Sequence, residues 1–380
     1  MRIGYSFWGF LGDYKEDSQG NALSTPDGNA AYGGYLIDAM MKAGHDVIFL
    51  QQDRDWPAFQ KRGKYDFSAF SQDIRFNAYA RSYRDLGFPD LDVLLLEWRF
   101  PIPGRNTPDM EGKPGYQPDL QRQLDLLRHY KGLNTKIIIW DLDYKLSKED
   151  ETQIMPHAVL ETAARPKVVV SNNDFGQPIY FGRHLRVEPP VAVSDLQQHK
   201  MIEADRKRKL VYVGSRYERD DVIEEWIKPV SDAYPGEVEF WGNWTAEYNH
   251  AEVKAKWPNI KYCERITMKD FSKVYSTAVA VPLLAKKEYL ANGFITPRIW
   301  EAVIFGTLPV GLSNHNGIEE YLPADLVARN PEDLTRLVKL LSICTLEERS
   351  QLRNAVVARI EFMDASNFVR VIEGVVNGQN

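Results

Sequence analysis

Four short stretches of this chain carry residues that could do chemistry. The first runs from Thr296 to Glu301, Thr-Pro-Arg-Ile-Trp-Glu, and is followed by Gly306-Thr307-Leu308-Pro309-Val310. Thr296 suits an N-cap and Pro297 the first helical position. Arg298 then falls in the first turn, where a cation is unfavourable against the helix dipole unless an anion lies between them. That combination predicts a phosphate site. Glu301, three residues on, shares a face with Arg298 and could reach a ribose beside that phosphate. The alternative is an ordinary helix–strand unit in which Arg298 pairs with a neighbouring acid.

The second stretch is Trp140-Asp141-Leu142-Asp143, directly after the apolar run Ile137-Ile138-Ile139. Carboxylates at such a strand end are poised at the ligand-binding edge of a sheet rather than buried. An Asp-x-Asp pair could also hold a metal, or one aspartate could cap the following turn. The third is Gly214-Ser215-Arg216. Gly214 permits close backbone approach, and Arg216 could grip a diphosphate through two hydrogen bonds or pair with Asp220. The fourth is Glu97-Trp98-Arg99 with Arg105 beyond it. Trp98, Arg99 and Arg105 offer a stacking ring and two cations for an acceptor, a flipped base included. Alternatively Trp98 packs inward and Arg99 pairs with Glu97. His45, His129 and His184 read as structural, and His315 either touches a donor or is a turn residue. There is no P-loop and no nucleophile elbow.

The elements that must position these residues alternate strand and helix, as in α/β domains with parallel sheets. Strands are expected at Ile3 to Phe7, Val47 to Leu50, Val93 to Glu97, Lys136 to Trp140 and Lys167 to Ser171. In the second half they are expected at Lys209 to Val213, Val238 to Trp241, Ile260 to Cys263, Val279 to Pro282 and Leu308 to Val310. Helices are expected at Ala30 to Ala43, Asp119 to Tyr130 and Val222 to Ala233. Three more are expected at Pro331 to Cys344, Leu346 to Asp364 and Ala365 to Val376. Residues 54 to 88 form a helical aromatic insert whose rings interleave with basic side chains. Such a pattern could stack bases and hold phosphates, or it is an amphipathic element with its rings in the core. Pro101 to Pro118 is a loop, and Arg186 to Val191 a linker. Two doubly wound domains leave a deep cleft, with ligands outside the carboxyl ends of the strands.

With 380 residues, 44% hydrophobic and 26% charged, the chain can fill two cores. A mean hydropathy of -0.41 and the lack of any long apolar run predict no membrane span. Nor is there a signal peptide's apolar region. Two cysteines, Cys263 and Cys344, are too few for a disulfide framework. The protein is therefore expected in the cytoplasm. A net charge of -6 argues against general nucleic-acid affinity but not against a local basic face.

The order of these pieces resembles the GT-B glycosyltransferases, two Rossmann-like domains that use nucleotide sugars. The segment with Arg298, Trp300-Glu301-Ala302 and Gly306 to Val310 is similar to the retaining family-four and spore-maturation-type enzymes. The resemblance implies that Glu301 binds the donor ribose and that Ile266, beside Arg265, meets the nucleobase. It further implies that Gly33-Gly34 is a glycine loop near the donor sugar and diphosphate. One departure is Gly293, which stands where many retaining members carry a first glutamate. Asp141-x-Asp143, Ser171-x-x-Asp174 and Gly306 to Val310 also show a patchy likeness to the DNA α-glucosyltransferases of T-even phages.

The expected fold is thus α/β, two Rossmann-like domains facing across a cleft, with boundaries 1–188, 189–363 and a returning helix over 364–380. The expected activity is hexosyl transfer, with retention, from a nucleotide-diphosphate sugar, UDP favoured. Donor contacts come from Gly33, Gly34, Gly214, Arg216, Arg265, Ile266, Thr296, Arg298 and Glu301. Asp141 and Asp143 serve the anomeric centre. No metal or other cofactor is expected. The favoured acceptor is a hydroxymethylated pyrimidine in double-stranded phage DNA. A cell-surface glycan or protein, or a nucleotide-sugar-binding protein without catalysis, are the alternatives.

Overall fold

The computed structural model describes residues 1–6, 28–50, 87–98, 116–141, 160–161, 187–198, 201, 204–242, 244, 250–264, 266 and 268–378. They divide into two units. The first holds the described residues up to Val191 together with those from Met363 onward, and the second spans Ala192–Phe362.

The first unit is built on a parallel sheet of β1 (Arg2–Ser6), β2 (Asp46–Phe49), β3 (Val93–Glu97), β4 (Lys136–Asp141) and β5 (Leu160–Glu161) in the order β2-β1-β3-β4-β5. Val93 to Glu97 is buried throughout, and Ile137, Ile138 and Ile139 are fully buried. Strands covered on both faces carry such unbroken apolar runs. Helices α1 (Gly28–Lys42) and α2 (Tyr116–Tyr130) supply the crossovers. The helix α2 begins inside the expected loop, at Tyr116 rather than Asp119.

The C-terminal helix of this unit, Ala365–Asn377, packs on α1 and β4. Phe368 meets Trp140 edge to face at 4.8 Å, and Glu373 lies 3.0 Å from His45 Nε2. The helix is capped by Asp364, which accepts from the Ser366 amide. Beside it Val191 forms a parallel bridge with Asp364, so the stretch expected as a linker is held by backbone bonds to Met363 and Ala365.

The second unit contains β6 (Arg208–Val213), β7 (Val238–Trp241), β8 (Ile260–Cys263), β9 (Ala278–Pro282), β10 (Leu308–Leu312) and β11 (Val327–Ala328), all parallel. Their order is β11-β10-β9-β6-β7-β8. The chain therefore winds outward from β6 on one flank and from β9 on the other. The gap between the carboxyl ends of β6 and β9 is the topological switch point, where such sheets bind ligands.

Five short helices, Val193–Gln198, His250–Lys256, Met268–Tyr275, Lys287–Ala291 and Arg298–Ile304, join these strands. The sequence pattern signals only the last, because one or two turns present too little of a helical period. The helical run over 220–233 starts two residues before the expected Val222, and its middle, Ile223–Ile227, is wound as a π-helix. Two longer helices, Pro331–Ile343 and Leu346–Ile360, begin with Asn330 and Thr345 caps, the second a full capping box with Glu348. From Leu346–Ile360 two buried arginines reach inward. Arg349 donates to the Val279 carbonyl of β9 at 2.7 Å. Arg353 donates to the Val303 carbonyl at 3.3 Å and to that of Leu196. Most of the expected insert over 54–88 and the expected strand Lys167–Ser171 lie outside the described residues.

Candidate functional site

The site is assembled at the carboxyl edge of the second sheet, around the β6–β9 switch point. Strand β6 ends in the buried Tyr212 and Val213 and then Gly214. The Gly214 amide donates to the Trp241 carbonyl at 2.8 Å, and its own carbonyl accepts from the Trp244 indole at 2.7 Å. A Cβ on Gly214 would fall against the Arg298 guanidinium and 2.6 Å from the Tyr212 hydroxyl. Gly242, at the end of β7, has φ 145°, and a Cβ there would collide with the Gly214 carbonyl oxygen. The ends of β6 and β7 are thus packed backbone to backbone, which only glycine permits.

Arg298 sits in this corner. Its Nε donates to the Val213 carbonyl at 2.8 Å, and its guanidinium carbon lies 5.0 Å from the Tyr212 ring centroid. The aromatic face and the carbonyl orient a cation at the switch point. The helix forms where the sequence predicts, with helical dihedrals at Pro297 and the Thr296 carbonyl accepting from the Ile299 amide. One correction concerns Thr296. No side chain caps this helix, and Thr296 is buried at 8% exposure, so it acts through its carbonyl and not as a hydroxyl cap.

Glu301 lies one turn on and is also buried. Burial first, and the Glu301 charge second, hold the Tyr275 hydroxyl well above its ordinary pKa, with Arg298 opposing. Arg298, Glu301, Tyr212 and Tyr275 therefore share one electrostatic neighbourhood.

Arg216 is placed nearby but committed elsewhere. Its Nε and Nη2 bond the two Asp220 oxygens at 2.7 and 2.5 Å, and Nη2 also donates to Glu252 at 2.8 Å. The guanidinium lies over the Trp257 ring at 5.8 Å. The Arg216 hydrogen bond first, with burial opposing and Lys256 assisting, holds the Asp220 carboxyl below its ordinary range. The pairing alternative for Arg216 is thus the one realised, and its charge is already matched by two carboxylates.

A cation that the sequence reading did not select is Lys286, just beyond β9. It is 9% exposed, with Nζ 3.1 Å from Glu288 and 3.5 Å from Glu218. Its ammonium lies 4.6 Å from the Tyr289 ring centroid and 5.9 Å from that of Tyr217. The available signal was a Lys-Lys-Glu-Tyr cluster directly after a buried strand.

Gly293, the departure noted in the sequence, has φ 70°, and a Cβ there would come 2.7 Å from the Asn316 carbonyl oxygen. No glutamate fits that backbone. Next to it His315 is 2% exposed, and neither ring nitrogen has a hydrogen-bond partner of good geometry among the described residues. Burial pushes its pKa down to about 4, with the Phe294 backbone opposing weakly.

In the first unit two expectations are corrected. Trp98 is fully buried, its amide donating to the Trp140 carbonyl at 2.7 Å, in a cluster with Leu126, Tyr130 and Ile139. It extends the β3 core and offers no exposed stacking ring. Gly33 and Gly34 lie inside α1 and are buried, so they form no loop. A Cβ on Gly33 would meet the Tyr5 hydroxyl at 3.4 Å, an ordinary van der Waals contact. That hydroxyl is raised well above its ordinary pKa by burial and then by the charge of Glu97, a buried carboxylate at the end of β3. Asp141 is the last residue of β4, in register with Glu161. Ile266 is half-buried shortly after β8, whereas Asp143, Arg99, Arg105 and Arg265 lie outside the described residues.

Among the described residues no group of His, Cys, Asp and Glu side chains is arranged to hold a metal, and no helix is long and apolar enough to cross a membrane. No protein-family model and no curated protein sequence matches this chain. Solved structures do. An α-glucosyltransferase in complex with UDP and a 13-mer DNA superposes with a TM-score of 0.62 at 12% identity, covering 99% of this chain and 100% of that one. T4 phage β-glucosyltransferase superposes with a TM-score of 0.61 at 14% identity, covering 99% of each chain. The chain has the GT-B fold. At these identities the likeness establishes architecture.

Proposed function

We propose that this GT-B protein is a hexosyltransferase that uses a nucleotide-diphosphate sugar, UDP-glucose or a related UDP-sugar being favoured. The observation that carries the proposal is the Arg298–Glu301 pair at the β6–β9 switch point, where Arg298 is already oriented by the Val213 carbonyl and the Tyr212 ring. A guanidinium suits a diphosphate, and a carboxylate one turn away suits the two ribose hydroxyls. Gly214 lets the Arg298 guanidinium lie against the end of β6, and Ile266 supplies an apolar contact for the base. The solved structures with this fold include one holding UDP with DNA that contains a modified base, and another holding UDP-glucose.

In the reaction the bond from the anomeric carbon to the β-phosphate oxygen breaks, and the acceptor oxygen bonds to the same carbon. The acceptor proton passes to a base or to water, and the nucleoside diphosphate leaves with its electron pair. Asp141 and Asp143 serve the developing oxocarbenium charge, with the leaving charge met by Arg298. The sugar nucleotide supplies the activated bond, so no other cofactor enters. Retention is favoured by the resemblance of the 296–310 segment to retaining enzymes. The acceptor is a hydroxymethylated pyrimidine in duplex DNA, with Arg99 and Arg105 serving its phosphates.

The test is mass spectrometry of hydroxymethylcytosine- and hydroxymethyluracil-containing duplexes, and of simple glycans, after incubation with a panel of nucleotide sugars. A hexose mass added to the modified base supports the reading. Glycan labelling alone would reassign the acceptor, and donor binding with no transfer to any acceptor would leave a binding protein. Asp141→Asn and Asp143→Asn should each lower transfer by on the order of 100-fold with donor affinity retained. Full turnover in both would remove the catalytic assignment.

A further inference from the structure

Lys286 is a buried ammonium at the switch point, and the proposed use of Arg298 and Glu301 leaves it without a role. Its side chain is 11% exposed, and its charge is met by Glu288 at 3.1 Å and Glu218 at 3.5 Å. The two carboxylates are not equivalent. Glu288 lies two residues along the same turn and is 34% exposed. Glu218 comes from the loop after β6, is 52% exposed, and has φ 50°, a left-handed conformation that a non-glycine residue adopts only under restraint. The same β6 loop is gripped at its start by Arg298, through the Val213 carbonyl. Lys286 and Arg298 thus hold two ends of one segment, 213–218, from the β9 side of the switch point.

We propose that Lys286 binds the β-phosphate of the nucleoside diphosphate, and that the Glu218 carboxylate occupies that phosphate's place until the donor displaces it. This rests on the glycosyltransferase reading above and adds to it a second cation and a competing internal anion. An ammonium has three donors, so it can keep Glu288 while exchanging Glu218 for phosphate. A diphosphate carries more charge than one carboxylate and does not require a strained backbone. Arg216, the cation expected from sequence to share this task, is already paired with Asp220 and Glu252. Glu218 also keeps a buried ammonium paired when no donor is bound.

The experiment is calorimetric titration of the full chain with UDP, UMP and uridine, and with ADP, GDP, CDP and dTDP for the other bases. Lys286→Met should weaken UDP binding about 10- to 100-fold, the worth of a charged hydrogen bond, with UMP affinity held within about twofold. Lys286→Arg should recover most of the loss. Glu218→Gln should bind UDP several-fold more tightly than the natural protein, since it removes the competitor. Unchanged UDP affinity in Lys286→Met, or equal loss of UDP and UMP, overturns the proposal. So does unchanged or weaker UDP binding in Glu218→Gln, and that variant decides the matter alone if Lys286→Met does not fold. A natural protein that binds no nucleoside diphosphate of any base would instead overturn the glycosyltransferase reading itself. Tight UDP binding indifferent to Lys286 would overturn only the present inference.

Discussion

At the scale of single residues, the site depends on where one guanidinium is held. Arg298 is oriented by the bond from its Nε to the Val213 carbonyl and by the Tyr212 ring beside its guanidinium. Arg298→Lys should therefore lose about 10-fold or more in UDP affinity although the charge remains, because an ammonium lacks the planar fork. Calorimetric titration beside Glu301→Gln checks this, and an unchanged affinity in both variants would remove the nucleotide site from this corner. His315 makes a separate prediction about pH. Its folded pKa of about 4 lies below the ordinary 6.5, so the unfolded chain binds the proton first as pH falls. Stability is then full above 6.5 and declines between 6.5 and 4. Between pH 7 and pH 5 the loss from this one group is about 2 kcal/mol. Denaturant unfolding should show His315→Leu losing less stability over that interval than the natural protein, and identical slopes would refute the assignment.

At the scale of elements, the segment that joins β9 to the Arg298 helix is clamped against the turn after β10. The Asn316 amide donates to the Leu290 carbonyl at 2.9 Å, and Gly293 stands against the Asn316 carbonyl oxygen. Gly293→Ala must strain a positive φ and push two backbones apart, a cost of about 1–3 kcal/mol. The expected result is a lower unfolding midpoint together with weaker UDP binding, since the same segment carries Lys286 and Arg298. Loss of stability with full UDP affinity would show that the clamp does not position the site. The long elements were legible from the sequence because a buried parallel strand or a four-turn helix repeats its pattern enough to be read. Val93–Glu97, Val238–Trp241 and Ile260–Cys263 fall where the pattern puts them. The five-residue helix Lys287–Ala291 was not legible, because it has scarcely more than one turn and no side-chain cap.

At the scale of the whole molecule, the chain order and the folding units differ. Residues from Met363 onward follow the second unit in sequence and belong to the first in space. Phe368, 3% exposed against Trp140, anchors that return. Phe368→Ala should destabilise the first unit by about 3–5 kcal/mol, the usual cost of emptying a large aromatic site. Calorimetry of the full chain should show the transition of the first unit shifted and that of the second unmoved. Equal shifts in both would mean that the two units unfold as one.

The sequence by itself determined the alternation of strand and helix, the two-sheet architecture, and the Arg298–Glu301 spacing on one helical turn. These are local properties, fixed by a period and by neighbours a few residues apart. Only the tertiary structure decided which cations stand ready at the switch point. Arg216 and Lys286 are both basic residues after buried strands, each with an acid close by in sequence, Asp220 and Glu288. What separates them is the acid each gains from another element, Glu252 for the first and Glu218 from across the β6–β9 gap for the second. The same holds for Trp98, which reads as an exposed ring in a loop until β4 and α2 are packed around it. Electrostatic pairing and burial are properties of residues distant in the chain, so they emerge only when the sheets have formed.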